Sequence, residues 1–172
     1  MKPSSEALAQ AAAALQQALQ RLHIPFDPAH FQWEGILPVE YKEHAGDAPG
    51  MGWRGVKRYS LGRPPLIEAR FALRYFEIEP GGYSSLEKHA YVHLVVVLRG
   101  RGRALVGMRV FELKPYDVLY VPPYTPHRWI NPYDEPFGFL CPADAERDSP
   151  QPLSEAEWVM LKSNPETAPY VF

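Results

Sequence analysis

Residues 80–102 constrain this chain more than any other stretch, because potential metal ligands there run directly into a β-branched, apolar segment bounded by glycines. Pro80-Gly81-Gly82 opens the stretch, Glu87, His89 and His93 follow, and Val95-Val96-Val97 leads to Gly100-Arg101-Gly102. In an extended strand successive side chains alternate between faces, so the spacing predicts that Glu87, His89 and His93 project together, with Tyr91, Val95 and Val97 beside them. Leu86, Ala90, Val92, Leu94, Val96 and Leu98 are then expected on the opposite face. A strand apolar on both faces predicts cover on both. Burying two imidazoles and a carboxylate there is costly unless something compensates, and a divalent cation would do so. A hydrogen-bonded polar cluster, or a hairpin with these residues in solvent, is the alternative reading. A helical His-x-x-x-His zinc site is disfavoured by the β-branched run and the flanking glycines.

The chain has 172 residues, enough for one domain with a substantial core and no structural cross-link. Eighteen basic residues face twenty acidic ones, for a formal net charge of −2. This balance, without a basic run, argues against nucleic acid and for a small-molecule partner. A single cysteine, Cys141, excludes an internal disulfide and any Cys-x-x-Cys pair, which fits a reducing, cytoplasmic setting. Its expected role is a small buried apolar residue. No apolar stretch approaches the about 20 residues of a membrane span, and the glutamine-interrupted N-terminus lacks a secretory pattern.

Three segments are expected: an N-terminal helix and arm over residues 1–66, a barrel over 67–145 and an extension over 146–172. Ser4 or Ser5 caps a helix to about Leu22, with Leu8, Leu15, Leu19 and Leu22 as an apolar stripe that packs on the domain or a second copy. Residues 25–66 are irregular and proline-rich yet aromatic, as in an arm laid over a barrel, with a strand near Trp53 to Tyr59. His23, His30 and His44 lack metal-ligand spacing and are expected at the surface or in local hydrogen bonds. From Phe71 onward short strands recur: 71–79, the ligand strand, a hairpin of 103–106 and 109–113 around Gly107-Met108, then 118–121, 127–130 and 137–141. Such spacing without helical crossovers indicates an antiparallel sandwich or barrel. Ser154-Glu155-Ala156-Glu157 is a capping box for a helix to about Lys162, anchored by Trp158 and Leu161.

The two motif regions together resemble the cupin family. Gly82, Glu87, His89, His93 and Gly100 fall at the places of its first motif, behind Pro80-Gly81. The stretch from Asp117 through Pro123 and His127 to Asn131 is similar to its second. The family's first His and its Glu are exchanged here, at Glu87 and His93, which keeps three imidazoles and one carboxylate. Asp117 and Tyr124 stand where the family has glycines. The resemblance covers about residues 71–141. It implies an all-β, antiparallel double-stranded β-helix (a jelly-roll barrel) with an N-terminal α-helix and a short C-terminal helix, in a homodimer. It also implies one divalent ion, Fe, Mn, Ni or Zn, held by Glu87, His89, His93 and His127 near one mouth.

Such a centre leaves adjacent open positions for substrate, water or oxygen. On that ground dioxygenase-type chemistry on a small polar substrate is favoured over isomerase or lyase chemistry. A ligand-binding or sensing cupin without turnover, and a dimer whose metal only stabilises the barrel, are the alternatives. Tyr91 is the candidate catalytic residue, as a substrate-positioning or proton-shuttling hydroxyl. Arg74 is the candidate for pairing with an anionic substrate group, and Phe76, Tyr120, Trp129 and Phe139 are candidate substrate-binding residues.

Overall fold

A computed structural model describes residues 4–42 and 46–172. Ser4 accepts a hydrogen bond from the Ala7 amide and starts helix α1, Ser5–Gln20. The helix buries Leu15 and Ala18 against Ile36, Tyr59 and Tyr75, so its stripe packs on its own domain. Leu22, expected in that stripe, is exposed beyond the helix end, where its backbone turns to a positive φ.

The arm holds two short strands, β1 (Phe26–Asp27) and β2 (Gln32–Trp33), which pair with each other. It then supplies β3 (Pro38–Glu40) and β4 (Arg54–Gly62) to the main sheet. The strand expected near Trp53 to Tyr59 is therefore longer and belongs to the barrel. The remaining strands are β5 (Phe71–Tyr83), β6 (His93–Arg99), β7 (Gly102–Val106), β8 (Arg109–Leu113), β9 (Val118–Val121), β10 (His127–Ile130) and β11 (Phe137–Asp144). They run in the order β8-β7-β10-β5-β11-β6-β9, with β4 also on β5, and every pairing is antiparallel. The fold is a curled antiparallel β-sheet with one helix from each terminal region, as the sequence implied.

Gly107 turns the β7–β8 hairpin at φ +57°, a left-handed conformation that a two-residue turn requires and glycine adopts without strain. Helix α2, Glu155–Ser163, carries the capping box: Ser154 and Glu157 each bond the other's backbone amide. Leu161 of α2 and Val171 pack with Leu86, Leu105 and Ile130, so the apolar C-terminal segment covers the back of β7 and β10.

The ligand stretch is not one continuous strand. Glu87 and Lys88 form isolated bridges to His127 and Gln151, the chain bends at Ala90 and Tyr91, and the strand proper begins at His93. Nor is β6 covered on both faces along its whole length. Val95 and Val97 are fully buried, whereas Leu94 is 48% exposed, alongside Tyr120 at 54% and Val118 at 60%. Register explains the grouping: Leu94 lies opposite Tyr120 and Val96 opposite Val118, so these side chains share the outer face of the β6–β9 pair.

Among the N-terminal histidines, His23 and His30 are exposed, and His30 Nδ1 lies 2.6 Å from Asp27. His44 lies outside the described residues.

Candidate metal centre and cavity

Three rungs of the sheet build the inner wall. Reading across β4, β5 and β11, Val56 lies beside Ile78 and Phe137, Arg58 beside Phe76 and Phe139, and Ser60 beside Arg74 and Cys141. Because directly paired residues point the same way, the wall changes from apolar to polar along the strands. A cavity of about 330 Å³ opens above it, within the range of small-molecule pockets.

His93 and His127 line this cavity and His89 groups with them, with ligand atoms all within 4.8 Å of one another, and all three residues are buried. His93 begins β6 and His127 begins β10. His89 is held from the loop between β5 and β6, where its carbonyl accepts a 2.7 Å hydrogen bond from the Tyr124 amide. That bond ties the turn before β10 to the loop before β6. Tyr124, standing where the family has glycine, takes φ +54° to make it.

The rings suit a cation. His89 Nδ1 lies 2.8 Å from the Tyr91 carbonyl and His127 Nδ1 lies 2.9 Å from the Thr125 carbonyl. A carbonyl can only accept, so each Nδ1 carries the proton and each neutral ring keeps a lone pair on Nε2. His89 Nε2 lies 2.9 Å from His93 Nε2. Burial, followed by the neighbouring His127, pushes the pKa of His89 down to about 4. Burial, then His127 and His89, holds His93 well below the usual imidazole range, and burial lowers His127 as well. Three buried, neutral, convergent nitrogen donors are what a divalent transition metal requires.

Glu87 is not in that group. Its backbone forms a reciprocal pair with His127, at 3.2 and 2.9 Å, but its carboxylate bonds Lys42 and Ser85. Lys42, from the arm, is thus the counter-charge of a buried carboxylate that the sequence reading assigned to the metal.

Tyr91 lines the cavity with its ring stacked on His89, centroids 3.5 Å apart and planes 5° from parallel. Burial pushes its hydroxyl up to about 12, so it holds its proton. Arg74, Phe76, Trp129 and Phe139 also line the cavity. Tyr120 does not. Its neighbour Val121 pairs with His93 and takes the inward side, so alternation turns Tyr120 outward.

Cys141, expected as an inert buried residue, is buried but borders the cavity between two functional groups. Its Sγ lies 3.0 Å from His93 Nδ1 and 3.4 Å from Arg74 Nη2, and burial raises its pKa and keeps it a thiol. Lys42, Arg58 and Arg147 line the cavity as well and were missed in the sequence. None lies within either motif, and only the register of β4 on β5 places Arg58 beside Phe76.

A curled antiparallel sheet with a histidine cluster at its mouth is a cupin barrel, and the comparisons agree: the Cupin domain family matches residues 74–142. The chain belongs to that family. It is 40% identical over 149 residues to 1-methylthio-D-xylulose 5-phosphate methylsulfurylase of Rhodospirillum rubrum, covering 86% of this chain and 92% of that protein. A solved cupin 2 conserved barrel domain protein from Rhodopseudomonas palustris superposes with a TM-score of 0.75 at 32% identity, covering 87% of this chain and 98% of the other. A glucose-6-phosphate isomerase of Pyrococcus abyssi is 41% identical over 80 residues, 42% of this chain and 41% of that enzyme.

Proposed function

We propose that this protein is a metal-dependent enzyme that transforms a small sugar-like substrate held against an ion on His89, His93 and His127. The grouping of three buried imidazoles beside a cavity that also holds Tyr91 and several cations carries this reading. Iron, manganese, nickel and zinc all accept such nitrogen donors. When bound, the ion would supply Lewis acidity, polarising a carbonyl or hydroxyl oxygen of the substrate. Around it, Tyr91 keeps a proton to donate, Trp129, Phe76 and Phe139 wall the substrate from water, and Lys42 with Glu87 forms a second proton-bearing pair.

The relatives' activities shift the favoured chemistry. One is a methylsulfurylase and one an isomerase, each named for a sugar phosphate substrate. Isomerisation or transfer of a methylsulfur group therefore stands ahead of the oxygenase chemistry favoured on ligand count alone. Metal analysis of the purified protein, followed by NMR assay against 1-methylthio-D-xylulose 5-phosphate and glucose 6-phosphate, tests the proposal. Expected are one bound ion per chain, turnover of one substrate, and loss of both in a folded His127→Ala variant. Turnover that survives chelation and His127→Ala alike would sink it.

A further inference from the structure

The cavity has an excess of positive charge that no step above uses. Arg58 comes from β4, Arg74 from β5 and Arg147 from the segment after β11, and all three line the cavity. Among the described residues none of the three forms an ion pair with a carboxylate, although seven other lysine and arginine side chains do. Their hydrogen bonds go to neutral groups: Arg74 to the carbonyl and sulfur of Cys141, Arg147 to the carbonyl of Asp144. The carboxylate nearest the histidines, Glu87, is already matched by Lys42. The three guanidinium groups disfavour one another: after burial itself, the charge of Arg74 is the leading cause lowering the pKa of Arg58, and likewise of Arg147. The second carboxylate at the cavity, Asp148, accepts from the Ala90 amide and can offset only one of the three charges. The surplus that remains beside the cavity marks a place where the ligand brings the negative charge.

We infer that Arg58, Arg74 and Arg147 form the binding site for a phosphate group on the substrate, beside the three histidines. Charge decides the class of anion. A carboxylate would neutralise one of three guanidinium groups, whereas a phosphate monoester brings nearly two negative charges and three acceptor oxygens suited to several guanidinium forks. Position decides which end of the substrate is held. The Cys141 thiol touches both Arg74 and His93, and the Arg147 guanidinium lies 5.9 Å from the centre of the Tyr91 ring that stacks on His89. A phosphate on the arginines therefore leaves the rest of a short chain of carbons pointing at the imidazoles. The wall is fixed by sheet register for Arg58 and Arg74, while Arg147 is exposed, on the segment after β11.

This assignment rests on the proposed function for its purpose, but its test does not need turnover. Chelated, metal-free protein is titrated with inorganic phosphate by calorimetry, alongside Arg58→Gln and Arg147→Gln variants whose melting is checked first. Arg74→Gln is a secondary variant, because losing its contacts to Cys141 can disturb the wall. Arg101→Gln, at an exposed ion pair with Glu135, is the control. Expected is phosphate binding to the native and control proteins, weakened about tenfold or more by either cavity substitution, a loss of roughly 1.4 kcal/mol. No binding at millimolar phosphate, or binding equal in native, Arg58→Gln and Arg147→Gln proteins, overturns the site and leaves the metal-dependent reading standing. Phosphate binding that depends on the arginines in a protein that takes up no metal would retain the site and remove that reading instead.

Discussion

Strands β6 and β10 each begin with a histidine of the candidate metal centre, yet their backs are treated in opposite ways. Behind His93 the outer face of β6 carries Leu94, apolar and half exposed. Behind His127 the outer face of β10 carries Arg128, charged and 1% exposed. Hydropathy would assign these the other way round. What decides is which surface the rest of the chain covers: α2 and the segment to Phe172 lie over β10, and no described segment buries Leu94 and Tyr120.

Arg128 is buried with partners for both terminal nitrogens, though its Nε has none. Its guanidinium donates to the carbonyls of Tyr170, Phe172 and Gly50 and lies against the rings of Phe172 and Tyr83, 4.4 and 5.2 Å from their centres. Burial lowers its pKa to about 10, so it is still charged at neutral pH. It is a clasp that joins β10, the loop at Gly50 and the C-terminal segment. The same residue type therefore does two jobs here: Arg128, closed in by carbonyls and rings, builds structure, while Arg58, Arg74 and Arg147 border open space. The largest effect is expected from breaking the clasp. Arg128→Ala leaves three carbonyls unsatisfied and a cavity beneath Phe172, and should cost about 3 kcal/mol in chemical denaturation. A loss below about 1 kcal/mol would mean that the covering segment is held by its apolar contacts alone.

On their inner faces the two strands are alike, and acid should reveal it. His89, His93 and His127 all have folded pKa values below the roughly 6.5 of an unfolded chain. Between that value and the folded ones the unfolded chain binds more protons, so stability falls as pH falls. The metal-free protein should melt at progressively lower temperature from neutral pH toward about 4, the folded value for His89. His93→Gln should flatten that slope. A slope equal in the two proteins would show that the ring at the head of β6 does not carry its share.

Much of this fold was legible because its signals are local. The Gly107 turn, the Ser154 capping box and the short strands at regular intervals are each specified by a few adjacent residues. The three histidines were legible because two motifs place them. What escaped depends on contacts across the sequence. Glu87 has a position of ligand type, and only the path of the arm shows that Lys42, 45 residues earlier, shares one oxygen of its carboxylate with Ser85. Tyr120 looks like a lining aromatic until the pairing of His93 with Val121 fixes its parity. Arg58 and Arg147 belong to no motif, and only β4–β5 register and the path after β11 bring them to the cavity.

The turn leading into β10 offers a smaller test. Tyr124 is held at φ +54°, where a side chain costs about 1 kcal/mol or more and glycine costs little. Its amide bond to the His89 carbonyl survives substitution, and its side chain is exposed. Tyr124→Gly should therefore raise stability by roughly 0.5–1 kcal/mol in denaturant melts, after allowance for the greater freedom of glycine in the unfolded chain. Destabilisation would instead mean that the tyrosine ring contributes at the rim.

The smallest effect should come from the back of β6. Replacing Leu94 with lysine puts a charge on a face that is already half in water, opposite Tyr120, and the long apolar stem of lysine can still cover that ring. The fold should change by no more than about 0.5 kcal/mol. The matched change behind β10, Ile130→Lys, pushes the same charge into the cluster with Leu105, Leu161 and Val171 and should cost several times as much. Running both variants in one denaturant series reads the contrast directly, since the substituted strands carry equivalent histidines on their other side. Size-exclusion of Leu94→Lys at constant concentration separates two origins of any loss. A fall in stability with a smaller hydrodynamic size would place the cost in an interface between copies, and a fall at unchanged size would place it within the barrel.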